Sequence, residues 1–158
     1  MIHALGKETK SLFEMEEDSK VVQPNAFDFK VDKVFKFTTN TFELSADDKK
    51  SHRKQEEIRP DENGYYHLNS GVYGILTNVE CKIAEGEAGF LIPRSSLNRN
   101  GIFLKSGLYD SGFDNTVGCT LYIEAPCFFK VQKGARIGQF LLFKAETLNM
   151  YNGSYNRK

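Results

Sequence analysis

The chain has 158 residues, a length that suits one domain. Its 21 basic and 21 acidic residues cancel to a formal net charge of zero, so nothing in the balance asks for nucleic acid or a membrane surface. No apolar run approaches the roughly 18 residues needed to span a bilayer, and the opening residues lack the apolar stretch of a secretory signal, so a cytoplasmic protein is expected.

In chain order, Leu5, Leu12 and Met15 fall near helical spacing and predict an amphipathic helical stretch over residues 5–18. Residues 27–37, FDFKVDKVFKF, put Phe27, Phe29 and Val31 on one face and Asp28, Lys30 and Asp32 on the other, the pattern of a half-buried strand. Residues 45–63, SADDKKSHRKQEEIRPDEN, have no apolar face and predict a solvated loop or a short surface helix. Acids interleave with bases there, which argues against a basic binding arm. A connection this long suits a lid or an insertion in a compact domain, and Lys49, Lys50, Arg53 and Lys54 could bring charge over a phosphate chain.

From residue 65 the apolar runs YYHL, VYGIL, VECKI, AGFLIP, GIFLK, VGCTLYI, FFKV and RIGQFLLF follow closely, cut by NG, NSG, EGE and KG turns. That spacing predicts an all-β barrel or sandwich. The FLLF run at 140–143 suits a strand buried on both faces. Cys81, Cys119 and Cys127 are odd in number and form no CxxC, so reduced core thiols are expected. His3, His52 and His67 are scattered without metal spacing.

Four segments break the plain strand pattern. In PRSSLNRNG (93–101), Arg94, Ser95 and Ser96 offer a planar cation, two hydroxyls and backbone N–H groups in one turn, donors that suit phosphate oxygens. A serine-rich turn capping a short helix would have the same composition. In SGLYDSGF (106–113) a single carboxylate, Asp110, lies between small residues, and Gly107 and Gly112 allow close approach. Such a carboxylate can orient a water as general base, or it can simply bond its own turn. In KGARIGQF (133–140), Gln139 heads an apolar run and needs a partner for its amide. In QPNAFDF (23–29), the Asp28 carboxylate alternates with aromatic rings.

Taken in order, QPNAFDFKV, PRSSLNRNG, GLYDSGF and GARIGQFLLF resemble the motif series of the dUTPase and dCTP deaminase superfamily, over residues 21–155. The resemblance implies a trimer of distorted, jelly-roll-like β-barrels with active sites between subunits and Mg2+ carried by the nucleotide phosphates. It implies Asp110 as the water-orienting carboxylate and Arg94, Ser95, Ser96 and Gln139 as phosphate ligands. Gly107, Leu108, Tyr109 and Phe113 would form the nucleoside side, with the Phe113 ring under the deoxyribose, and Asp28 would lie near the metal's water shell.

The chain departs from the pattern in three places. Thr120 stands where the deaminases carry a catalytic Glu, and threonine cannot shuttle a proton as a carboxylate does. Glu124 would share that strand face only if the strand runs regularly. The hairpin between Arg94 and Asp110 is shorter than the family's, and MYNGSYNRK resembles only the start of the deaminase tail. The expectation is therefore a dUTPase-like pyrophosphatase acting on a deoxynucleoside triphosphate. Its alternatives are a dCTP deaminase and a catalytically silent nucleotide- or partner-binding protein on the same fold.

Overall fold

The computed structural model describes residues 2–3, 9–14 and 20–157. Among them the strands are β1 (Ile2–His3), β2 (Leu12–Glu14), β3 (Phe27–Phe37), β4 (Glu43–Leu44), β5 (Lys50–Ser51), β6 (Gln55–Ile58), β7 (Tyr65–Lys82), β8 (Glu87–Pro93), β9 (Ile102–Lys105), β10 (Asp114–Gln132) and β11 (Arg136–Lys144), with one short helix, α1 (Ser95–Asn98). The protein is a nearly closed, barrel-like all-β structure. The main sheet runs β1-β11-β3-β7-β10-β9, with β2 beside β7, β6 beside β3 and β8 beside β11.

Strand β3 closes the architecture because it links β11 to β7, with β6 as a third neighbour. Its first half pairs with β11 (Gln139↔Asp28, Phe140↔Phe27). After a register shift beyond Val31, its second half pairs with β7 (Val34↔Ile75, Phe35↔Gly74). The alternation read from FDFKVDKVFKF holds, with Phe27, Phe29, Val31 and Val34 buried. Phe27 stacks on Phe140 at 5.3 Å, and Phe13 meets both rings edge-on at 4.8 and 5.3 Å. Each fully buried ring of this kind contributes roughly 1.5–3 kcal/mol of apolar transfer.

Several sequence expectations change. The described part of the 5–18 stretch is extended: Leu12↔Lys82 and Phe13↔Cys81 are strand pairs, while residues 5–8 and 15–18 lie outside the described residues. The reason is that Phe13 turns to the core while Leu12 and Glu14 stay exposed, a period of two. Residues 45–63 are neither plain loop nor helix. β4 and β5 form a hairpin, and β6 pairs with β3. Charges that look solvated in sequence meet across strands, Lys36 with Glu56 at 3.1 Å and Lys33 with Glu57 at 3.7 Å.

The runs YYHL, VYGIL and VECKI merge into the single 18-residue β7, and VGCTLYI and FFKV into the 19-residue β10. β10 keeps pace with β7 through register jumps between Thr116 and Gly118 and between Ile123 and Phe128. FLLF is buried on one face only: Phe140 and Leu142 are in the core, Leu141 and Phe143 half-buried. Gly138 is fixed by packing, since a Cβ there would sit 2.2 Å from the Phe29 ring and 2.6 Å from Leu104. Among the described residues no helix is long and apolar enough to cross a membrane, and the three cysteines are free thiols.

Candidate functional site

Asp28 is the hub of the first constellation. It is 1% exposed and sits opposite Gln139 in the β3–β11 register. Its Oδ1 accepts from Gln139 Nε2 at 3.1 Å. Its Oδ2 accepts from Arg136 Nη1 at 3.1 Å and lies 3.4 Å from Arg94 Nε. The partner predicted for the Gln139 amide is therefore this carboxylate. Both Asp28 oxygens are engaged and buried, and the carboxylate anchors two guanidinium groups and an amide.

Arg94 leaves β8 and forms the N-cap of α1, with Nη1 donating to the Arg136 carbonyl at 3.4 Å. Its side chain and that of Arg136 remain about one-third exposed. Ser95 and Ser96 open α1 with exposed side chains. Asp28 thus gathers two cations and an amide, and the two hydroxyls follow Arg94 on α1. Arg136 was missed in sequence because it was read only as the start of a strand; the signal was a guanidinium heading an otherwise apolar run.

The second constellation lines a cavity of about 810 Å³. Gly107, Leu108, Tyr109, Asp110 and Phe113 all face it, as do Lys105, Thr120, Tyr151 and Tyr155. Asp110 is the one carboxylate in that lining. It is exposed, and among the described residues no hydrogen bond or ion pair reaches its side chain. Leu108 is 55% exposed. Phe113 packs edge-to-face on Tyr109 at 4.9 Å and lies 6.0 Å from the Tyr151 ring.

Tyr109 is buried, and burial pushes its phenol well above the usual range. Its hydroxyl donates to the Gly118 carbonyl and accepts from the Gly118 N–H at 3.0 Å, beside the first register jump of β10. Its ring therefore ties the turn to the strand behind the cavity. Cys119, also in the lining, has its thiol pushed up to about 12 by burial, which keeps it protonated and unreactive at neutral pH.

The C-terminal segment completes the cavity and was not read from sequence as a lining element. Tyr151 N–H donates to the Ser111 carbonyl at 2.7 Å, Asp114 N–H to Asn156 Oδ1 at 2.9 Å, and Asn156 Nδ2 to the Gly112 carbonyl at 3.0 Å. Arg157 pairs with Asp114 and Glu80. Gly112, at φ 92°, is required here: a Cβ would come within 3.0 Å of the Tyr151 backbone nitrogen.

None of Arg94, Ser95, Ser96, Arg136 or Gln139 lines the cavity that holds Asp110. Thr120 does line it, whereas Glu124 does not. Glu124 is exposed; the pairing with β7 shifts after Ile123, but the Glu124 N–H continues the β9 register by donating to the Gly101 carbonyl.

Comparison with known proteins places these features. A probable deoxyuridine 5'-triphosphate nucleotidohydrolase of Methanothermobacter thermautotrophicus is 31% identical over 137 residues, covering 86% of this chain and 88% of that protein. One of Methanopyrus kandleri is 29% identical over 141 residues, covering 89% and 90%. The match with the Methanococcoides burtonii protein of the same name, 33% identical, spans 61% of that protein's length. In fold, the chain is similar to the 2'-deoxycytidine 5'-triphosphate deaminase of Agrobacterium tumefaciens (TM-score 0.66, 15% identity, 86% of this chain and 44% of that one) and to the dUTPase of Staphylococcus bacteriophage 80alpha (TM-score 0.50, 14% identity, 92% and 97%). Residues 2–145 match the dCTP deaminase-like family, and the chain belongs to it.

Proposed function

We propose that the protein is a deoxynucleoside triphosphate pyrophosphatase that hydrolyses dUTP to dUMP and pyrophosphate. The observation that carries this reading is the cavity lining: it contains one carboxylate, Asp110, exposed and unpaired among the described residues, and a threonine at position 120. A free carboxylate on a turn is equipped to orient a water and take its proton. Deamination would need a second carboxylate close to the base, and Glu124 stands outside the cavity. The archaeal relatives named as dUTP nucleotidohydrolases support the same choice.

In this reading Phe113, Gly107, Leu108 and Tyr109 form the nucleoside side, and Arg94, Ser95, Ser96 and Gln139 receive the phosphates. Because the two sets do not line one cavity within a chain, the proposal includes a homotrimer in which one subunit's guanidinium patch faces the next subunit's Asp110. Arg94 and Arg136, held in place by Asp28, would spread the charge that develops on the phosphate oxygens.

Magnesium fits only as an ion carried on the substrate. No group of three or more His, Cys, Asp or Glu gathers among the described residues, and the Asp28 carboxylate already serves Gln139, Arg136 and Arg94. An ion bound mainly by phosphate oxygens and water would neutralise charge there without a protein cage.

The test is a panel of deoxynucleoside triphosphates with magnesium, scored for pyrophosphate and for ammonia. Pyrophosphate from dUTP without ammonia from dCTP is the expected result. Ammonia release from dCTP at a matching rate would overturn the assignment. Sedimentation equilibrium at micromolar protein tests the assembly, and a monomer would refute the shared site.

A further inference from the structure

Among the described residues the Asp110 side chain has no partner, yet the residues on either side of it are tightly held. Tyr109 exchanges both backbone hydrogen bonds with Gly89 of β8, at 2.8 and 3.0 Å. Ser111 is 5% exposed, and its hydroxyl donates to the Glu87 carbonyl at 2.7 Å. That hydroxyl has one proton, so the 2.7 Å contact between Ser111 Oγ and Thr147 Oγ1 has Thr147 as donor. Thr147 Oγ1 in turn accepts from the Gly86 N–H at 2.8 Å. The chain Gly86 N–H, Thr147, Ser111, Glu87 carbonyl runs in one direction with every hydroxyl donating once and accepting once.

The end of this chain is itself anchored. The Glu87 side chain is 5% exposed. It accepts from Thr9 Oγ1 at 2.8 Å, Lys10 N–H at 3.1 Å, Ser11 N–H at 3.0 Å and the Ser11 hydroxyl. The Ser111 carbonyl accepts from Tyr151 N–H, so the same residue also receives the C-terminal segment. Residues from three distant parts of the chain thus converge on the position next to Asp110.

We propose that Ser111 and Thr147 are positioning residues for Asp110, setting the direction of its carboxylate through this hydroxyl relay. The inference rests on the reading of Asp110 as the water-orienting group. A carboxylate that must meet a water and a phosphorus in line gains from a turn whose two flanks cannot rotate. Thr147 lies beyond the end of β11, where a part-buried hydroxyl contact to a neighbouring turn adds little to the sheet itself.

The test compares Thr147→Val, which keeps the shape and removes the hydroxyl, with Thr147→Ser, which restores it, and with Ser111→Ala and Asp110→Asn. Thr147→Val is expected to lower kcat on the order of tenfold or more with KM within about threefold, and Thr147→Ser to recover within about twofold of wild type. The double variant Ser111→Ala/Thr147→Val should be no worse than the poorer single one, because both break one relay. Amide exchange across residues 109–113 should rise in Thr147→Val while that of β10 stays unchanged. If Asp110→Asn is inactive but Thr147→Val keeps wild-type kcat, or if Thr147→Ser fails to rescue, the positioning role is refuted. If Asp110→Asn retains turnover, the reading of Asp110 itself falls, and the proposal with it.

Discussion

Removing the charge of Asp28 tests whether one buried carboxylate organises the guanidinium patch. Asp28→Asn keeps the volume but turns one acceptor oxygen into an NH2 donor. Asp28 now serves three donors, from Gln139, Arg136 and Arg94, and the amide would face at least one of them donor to donor. Breaking a buried ion pair from one side costs about 3–5 kcal/mol when the other side stays buried. Here the two arginines are 33% and 31% exposed, so each can turn partly to water, and the loss should fall to about 2–3 kcal/mol. For a chain of this size that corresponds to a fall in Tm of roughly 5–10 °C. Urea unfolding at fixed protomer concentration, followed by tyrosine fluorescence and circular dichroism, measures it; the chain has seven tyrosines and no tryptophan. A cycle with Arg136→Met should show coupling of at least about 0.5 kcal/mol. A loss under about 0.5 kcal/mol, with no coupling, would refute the anchor role.

Asp110→Asn should remove turnover by on the order of a hundredfold or more while nucleotide binding, measured by calorimetry, persists, because the amide keeps the shape and loses the basic oxygen. Gly138→Ala should destabilise by about 1–3 kcal/mol in the same urea assay, since its Cβ would meet Phe29 and Leu104 inside contact distance. Burial pushes the Glu87 carboxyl up, but hydrogen bonds from the Ser11 hydroxyl, the Lys10 N–H, the Thr9 hydroxyl and the Ser11 N–H together hold it below its ordinary 4.5. A depressed folded pKa contributes stability that is fully present above 4.5 and lost as pH falls through the folded value. Glu87→Gln should therefore flatten the stability slope below pH 4.5, and an unchanged slope would count against the contact.

The strand content was legible because burial in this sheet follows a period of two, as in 27–37, where Phe27, Phe29 and Val31 are buried. The two long strands were not legible as single elements. The NSG at 69–71 reads as a turn, whereas β7 runs straight through it, with Gly71 still paired to Ile123. Local propensity cannot see that β10 lies alongside for fourteen paired positions. The helix expected over 5–18 failed at 12–14 because three apolar residues near helical spacing say less than two aromatic contacts, Phe13 on Phe27 and on Phe140. In the 45–63 segment, charge hid strand β6, whose exposed glutamates meet lysines on β3. The partners of Arg136 and of the Thr147 hydroxyl were not legible for a related reason: they lie 108 and 36 residues away.

The register of β10 bears most directly on which chemistry the site can run. In a regular strand, positions 118, 120, 122 and 124 would share a face, and a glutamate at 124 could stand in for the carboxylate absent at 120. The pairing with β7 is regular through Ile123↔Gly71 and then jumps to Phe128↔Asn69. On the other side Glu124 still follows the β9 register, its N–H bonded to the Gly101 carbonyl next after Ile123↔Ile102, so it keeps the face of Thr120 and Tyr122, but its side chain is exposed and stands outside the cavity lining. Gly118 and Thr120 stay in the regular part and line the cavity. The cavity wall therefore presents a glycine, a protonated thiol at Cys119 and a threonine hydroxyl. None of these exchanges a proton readily near neutral pH, which leaves Asp110, on the opposite flank, as the one group in the lining equipped to accept one.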